Sequence, residues 1–281
     1  MVALFLSRKL YISIIENALN EDLGGAGDVT SNAIFVDDVN IRAVMRARGG
    51  GVLSGVTVAR DVFNVCDDAL DVNVLVADGD RVVSGQDIMV IKGDVKSILL
   101  AERVALNLIS YMSGIATETA KLVEKIKHTN AELACTRKTT PGLRVLDKYA
   151  VRCGGGKNHR FNLSDAVLVK DNHIVASGSI SSAVKSIREN IGHMVKIEVE
   201  VDDLDQLKEL MSCDIDIVML DNMNLELLAK AVKIIDGKFT IEASGGVCVD
   251  NIVSIAEVGV DVISCGYITH SAPILDIALD I

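Results

Sequence analysis

The stretch VKIEVEVDDLDQLKELMSCDIDIVMLDNMNLELLAKAVKIIDGKFTIEASGG, from Val195 to Gly246, decides the fold. Three Val/Ile-rich runs, Val195–Val199, Ile215–Leu220 and Phe239–Ala243, alternate with two segments of helical pattern, Leu204–Met211 and Leu225–Ile235. Apolar residues in those two segments recur at helical spacing, whereas the runs are short and nearly continuous. Strand, helix, strand at a spacing of about 22 residues implies βαβ units and a parallel sheet. Each run ends in polar or small residues: Glu200, Asp221-Asn222 and Ser244-Gly245-Gly246.

The same text extends both ways. Further runs are Leu133–Cys135, Ala166–Val169 and Val262–Ser264, with helical patterns at Ile180–Glu189 and Ile252–Val258. These runs end in Arg137-Lys138, Lys170-Asp171 and Gly266. A barrel places its active site on the C-terminal rim of its strands, whereas a doubly wound sheet concentrates ligand contacts at one switch point. Polar ends on all the runs favour the barrel. Fewer than eight units make it an incomplete α/β, TIM-like barrel.

Upstream the pattern differs. Ser7–Asn20 reads as an amphipathic helix, followed by a loop of glycine and acid from Asp22 to Asp28. Ile41–Lys92 reads as short strands with turns at Asp78-Gly79-Asp80 and Gly93-Asp94. Ser97–Lys127 is helical in pattern, with a break near Ser113-Gly114. The expected division is an N-terminal α+β sandwich domain over 1–113 and a catalytic barrel over 114–270, with the tail 271–281 returning to the first domain.

Of 281 residues, 49% are hydrophobic and none is Trp, so Val, Ile, Leu and Ala must build the core. A net charge of −11 argues against a nucleic-acid binder, which needs a basic surface. No apolar run reaches the ~18 residues of a membrane span, and Arg8 and Lys9 interrupt any leader-like start. The six cysteines include no CxxC pair, which fits reduced thiols in a cytoplasmic protein.

Charge is unevenly placed. Between Arg137 and Lys170 lie eight Lys/Arg residues and His159 against two acids; the window is +6 and the rest of the chain −17. Arg137, Lys138, Arg160 and Lys170 lie at strand ends or beside glycines. Arg144, Lys148 and Lys157 read equally as a solvated surface. Several guanidinium forks in one pocket suit a ligand with several negative groups. Gly154-Gly155-Gly156 could turn backbone N–H groups towards an anion. Ser244-Gly245-Gly246 and Gly266 follow strands and precede helices, where phosphate is held. Glu200 and Asp221 end neighbouring runs and could bind Mg²⁺ or sugar hydroxyls, or stabilise a cationic transition state. Glu198 points the same way as Glu200, and periodicity does not separate the two. His173 and His193 receive no role.

These residues also form specific text. Thr136-Arg-Lys-Thr-Thr-Pro-Gly142, Lys148-Tyr-Ala-Val-Arg-Cys-Gly-Gly-Gly156, Asn158-His-Arg160, Val169-Lys-Asp-Asn-His173 and Glu242-Ala-Ser-Gly-Gly246 resemble quinolinate phosphoribosyltransferase. The likeness covers nearly the whole chain. It implies that quinolinate and phosphoribosyl pyrophosphate, with Mg²⁺, give nicotinate mononucleotide, pyrophosphate and CO₂. It implies that Thr136, Arg137, His159, Arg160 and Lys170 surround the dicarboxylate, and that Lys138 lies towards the phosphoribosyl donor. It implies that Glu200 and Asp221 handle Mg²⁺ and ribose, and that Ser244, Gly245, Gly246, Gly266 and His270 form phosphate loops. It also implies a homodimer in which Arg103 of one subunit completes its partner's site. Cys135 and Gly49 stand where that family often has acids. Two other readings compete: a related phosphoribosyltransferase-like protein associated with molybdenum transport, and a Schiff-base barrel lyase using Lys170.

Overall fold

The computed structural model describes residues 5–281, which form two compact units. The first comprises residues up to Ala120, Thr139–Gly155 and Ile268–Ile281. Its strands are β1 (Asn40–Ala47), β2 (Gly51–Val52), β3 (Asp71–Val74), β4 (Arg81–Val82) and β5 (Asp87–Asp94). The second comprises Lys121–Lys138 and Gly156–Tyr267, and contains β6 (Glu132–Ala134), β7 (Val167–Val169), β8 (Ile197–Val201), β9 (Ile217–Asp221), β10 (Thr240–Ser244) and β11 (Val262–Ser264). A last strand, β12 (Ile277–Asp280), belongs to the first unit.

In the first unit an antiparallel sheet runs β12-β1-β5-β3, and β2 pairs with β4. The chain's tail thus pairs directly with β1, Val44 opposite Asp280. Two features depart from the sequence expectation. Gly93 lies inside β5, not in a turn; its φ of +144° and the Leu70 side chain, 2.5 Å from where a Cβ would stand, account for the glycine. Helix Val95–Ile126 has no break at Ser113-Gly114. Gly114 is there because a Cβ would lie 2.2 Å from the Pro273 carbonyl oxygen. By length and composition this helix is apolar enough to cross a membrane, contrary to the sequence expectation, and 67% of its most apolar stretch is buried, as in a core helix.

Helices Val56–Cys66, Arg144–Cys153 and Asp171–Ser177 were not legible as helices from periodicity. Gly154-Gly155-Gly156 is not an anion loop either. Gly154 and Gly155 donate back to Ala150 and Arg152 to close helix Arg144–Cys153, and a Cβ on Gly154 would meet the Ala116 carbonyl oxygen at 2.4 Å.

In the second unit six strands form one parallel sheet, in the order β6-β11-β10-β9-β8-β7. Successive strands from β7 to β11 are neighbours, and β6 adds beside β11. This is an incomplete α/β barrel, with β6 and β7 at its two edges. Side-chain alternation sorts each strand. In β8, Ile197, Val199 and Val201 are fully buried on one face, while Glu198 and Glu200 share the other. Three of the helices between strands start at side-chain caps. Ser179, Asp203 and Asn224 accept from backbone N–H groups at the starts of Ile180–Asn190, Leu204–Leu210 and Leu225–Ile235. Each such cap contributes about 1 kcal/mol.

Candidate active site

A cavity of about 450 Å³ opens at the C-terminal ends of the barrel strands. Thr136, Arg137 and Lys138 enter it after β6, His159 and Arg160 before β7, and Lys170 after β7. Glu200 comes from β8, Asp221 and Asn222 from the end of β9, and Glu242, Ser244, Gly245 and Gly246 from β10 and its loop. Leu168 and Met219 supply apolar wall.

The cationic side is built locally. Thr136 Oγ1 accepts the Lys138 backbone N–H at 3.0 Å, which turns the chain sharply after β6. Arg160 Nη1 donates to the Ala166 carbonyl at 3.0 Å. Burial, then Arg137, holds the Arg160 guanidinium below the usual arginine range, opposed by Glu198. Lys170 ends β7, and its N–H donates to His173 Nδ1 at 3.0 Å. His173, which had no assigned role, thereby caps helix Asp171–Ser177. Lys170 Nζ is ion-paired with Glu200.

The acidic side is built by strand ends. Asn222 adopts φ 52°, unusual for a non-glycine residue. Its Nδ2 donates to Asp221 Oδ2 at 2.5 Å and its backbone N–H to the Ser244 carbonyl at 2.9 Å. Gly245, at φ +92°, packs so closely that a Cβ would lie 2.2 Å from Asn222 Oδ1. Glu200, Asp202 and Asp221 bring one oxygen each within 4.8 Å of one another. Burial, then Asp221, pushes the Asp202 carboxyl above its ordinary range, with Lys170 opposing. Crowded carboxylates of this kind fit a hard divalent cation.

Glu198 and Glu200 separate clearly. Glu200 sits at the rim, whereas Glu198 is deep, 4% exposed and 2.8 Å from His159 Nε2. Asp202 and Glu242 were missed; Glu242 lies two residues before Ser244 on β10, so alternation could have found it, whereas Asp202 follows the end of β8. Lys148, one of three possible surface lysines or arginines, is 1% exposed. Lys157 is half exposed and paired with Glu132 at 3.1 Å. Gly266 follows β11 but does not line the cavity. Arg103 and His270 belong to the first unit. Arg103 is largely exposed on helix Val95–Ile126, 3.9 Å from Glu102. His270 Nδ1 lies 2.6 Å from Ser271 Oγ.

Two profiles match consecutive parts of the chain. Residues 28–113 match the N-terminal domain of quinolinate phosphoribosyl transferase, and residues 115–280 match its C-terminal domain. The chain belongs to the quinolinate phosphoribosyltransferase family. Its relatives agree over nearly full length. A Mycobacterium leprae protein named nicotinate-nucleotide pyrophosphorylase [carboxylating] is 40% identical over 95% of each chain. A Bacillus subtilis protein named as a probable enzyme of the same kind is 40% identical over 93% of this chain and 90% of its own length. The structure of the nicotinate-nucleotide pyrophosphorylase from Francisella tularensis superposes with a TM-score of 0.94 at 39% identity, covering 99% of this chain and 98% of that one. Within this quinolinate phosphoribosyltransferase fold, the strand-end cavity is the candidate active site.

Proposed function

We propose that this chain transfers the phosphoribosyl group of phosphoribosyl pyrophosphate to quinolinate, with loss of CO₂, to give nicotinate mononucleotide and pyrophosphate for NAD biosynthesis. One observation carries the reading: a single cavity joins a cationic wall of Arg137, Lys138, His159, Arg160 and Lys170 to an acidic wall of Glu200 and Asp221 and to the Ser244-Gly245-Gly246 loop.

The cationic wall suits a pyridine dicarboxylate, two carboxylates on a flat ring. Thr136 and the arginine forks hold it in plane, which aims the ring nitrogen at the anomeric carbon. The nitrogen–carbon bond forms as the bond from the anomeric carbon to pyrophosphate breaks. Glu200 and Asp221 face the positive charge that develops on the ribosyl carbon. The quaternised ring nitrogen then draws in the electron pair released when the adjacent carboxylate leaves as CO₂, and that carbon takes a proton. Lys138 and Lys170 offset charge on the departing pyrophosphate. The glycine loop offers backbone N–H groups to the 5′-phosphate.

Glu200 and Asp221, with Asp202, would hold Mg²⁺. Bound there, Mg²⁺ supplies positive charge for the pyrophosphate oxygens. The active form is a homodimer in which Arg103, largely exposed on its own subunit, reaches the partner's dicarboxylate. The chain works in the cytoplasm, where reducing conditions suit Cys135, Cys153 and Cys265, which are buried as small apolar side chains.

Lys170 does not favour a Schiff-base lyase. It is half exposed and paired with Glu200, among arginines suited to carboxylates, whereas an imine-forming lysine is typically desolvated in an apolar pocket. The deciding experiment combines protein, quinolinate, phosphoribosyl pyrophosphate and Mg²⁺ and follows nicotinate mononucleotide by chromatography. Turnover with nicotinate but none with quinolinate would overturn the substrate assignment.

A further inference from the structure

Asn222 takes no part in the transfer chemistry above, yet it lines the cavity and touches two of its working parts. It directly follows Asp221, the last residue of β9, whose register partner on β10 is Ser244. At φ 52° its backbone is left-handed. Glycine takes that conformation freely, and asparagine tolerates it at some cost. A position that needed only the turn would be met by glycine. The asparagine side chain is therefore what calls for a reason.

That side chain is engaged on two sides. Nδ2 donates to Asp221 Oδ2 at 2.5 Å. A carboxylate oxygen accepts, so the amide nitrogen must face it and Oδ1 must turn the other way. Oδ1 then lies against Gly245, 2.2 Å from where a Cβ would stand. The Asn222 backbone N–H donates to the Ser244 carbonyl at 2.9 Å. A peptide bond is planar and trans, so tying down that carbonyl also fixes the direction of the Gly245 N–H. Two successive glycines of positive φ, Gly245 and Gly246, give the loop no side chains of its own to hold it. Its far end is held by Asn251, whose Nδ2 donates to the Gly246 carbonyl at 3.0 Å and whose Oδ1 accepts the Cys248 N–H at 2.8 Å. Its near end is held by Asn222.

We propose that Asn222 is a positioning residue that keeps Asp221 and the Ser244-Gly245-Gly246 loop in one fixed relation, so that a ribose 5-phosphate group is gripped by its hydroxyls and its phosphate at once. The ligand rests on the substrate reading above. The sugar sets the separation between its hydroxyls and its phosphate, and the protein must match it. A misfit of about 1 Å is enough to cost much of the rate.

The test uses full-length protein and two variants. Asn222→Gly keeps the left-handed backbone and removes the amide. Asn222→Asp keeps size and backbone tolerance but replaces the donor with a second carboxylate beside Asp221. Calorimetry with ribose 5-phosphate, which carries sugar and phosphate but cannot react, should show affinity about tenfold weaker in Asn222→Gly, the worth of one charge-assisted hydrogen bond, and at least as weak in Asn222→Asp. Binding of benzene-1,2-dicarboxylate, a probe of the cationic wall, should stay close to wild type in both. Steady-state kinetics should follow the same split: KM for phosphoribosyl pyrophosphate rises, and KM for quinolinate changes little. Wild-type ribose 5-phosphate affinity in Asn222→Gly would show that only the turn matters, and wild-type affinity in Asn222→Asp that only shape matters; either overturns the proposal. So would an equal loss of dicarboxylate affinity, which would mark a general collapse of the rim. Wild type that binds ribose 5-phosphate but turns over no quinolinate would sink the substrate reading alone, and wild type that binds no ribose 5-phosphate would sink both.

Discussion

Lys170 Nζ is ion-paired with the Glu200 carboxylate, linking the end of β7 to the rim of β8. Lys170 is half exposed and Glu200 only 11% exposed. The lysine thus covers an acid that faces the cavity. In the proposed reaction Glu200 faces the carbon on which positive charge develops. Glu200→Gln keeps shape but removes charge. It should lower kcat by at least about a hundredfold, as for loss of one preorganised electrostatic group, while dicarboxylate affinity changes little. Steady-state kinetics with direct binding checks this; an unchanged kcat would remove Glu200 from the role.

The Gly245 position should tolerate no side chain. At φ +92°, a Cβ would stand 2.2 Å from Asn222 Oδ1 and 2.8 Å from the Asn222 backbone nitrogen. Gly245→Ala should destabilise the protein by about 1–3 kcal/mol and raise KM for phosphoribosyl pyrophosphate. Gly246, at φ +59° with open space around its Cβ position, should be milder. Thermal unfolding and KM for each variant compare the two.

Asp147 should give the first unit a pH signature. It is fully buried, accepts from the Tyr111 hydroxyl at 2.7 Å and from the Thr140 N–H at 3.0 Å, and burial pushes its carboxyl up to about 6. The folded state therefore holds this proton more tightly than the unfolded chain. Its stabilising contribution is complete below the unfolded value of about 4 and is lost as pH rises through about 6. Asp147→Asn has no such proton to lose. Denaturant unfolding between pH 4 and 7 should show a flatter stability profile in the variant than in the wild type.

Arg103 tests the shared site. Arg103→Ala and Glu200→Gln homodimers should each be nearly inactive. Mixed and allowed to re-assort, they should recover roughly a quarter of wild-type turnover, because half the dimers are mixed and each has one complete site. No recovery, with exchange confirmed by mass spectrometry, would show that Arg103 does not act across the interface.

The barrel was legible because buried parallel strands are short apolar runs and their ends are polar; β6 to β11 lie within two residues of the runs read from sequence. The first unit was harder. Val56–Cys66 and Arg144–Cys153 each bury one apolar stripe but are short and interrupted by charged residues such as Arg60, Asp61, Asp147 and Lys148, and Gly93 and Gly114 carry turn signals that are in fact close-packing signals. A glycine kept for a neighbour's backbone looks the same in sequence as a glycine kept for a turn, because the neighbour is distant in the chain.

By itself the sequence determined the barrel, the family and eleven of the residues around the cavity: Thr136, Arg137, Lys138, His159, Arg160, Lys170, Glu200, Asp221, Ser244, Gly245 and Gly246. Those are local properties: residue type, period and position at a strand end. Only the tertiary structure decided between Glu198 and Glu200, placed Glu242 beside His159, buried Lys148 and added Asp202 to the acidic side. Alternation says which face a side chain takes. How deep it sits, and which partner from another strand it meets, depends on how the sheet curls.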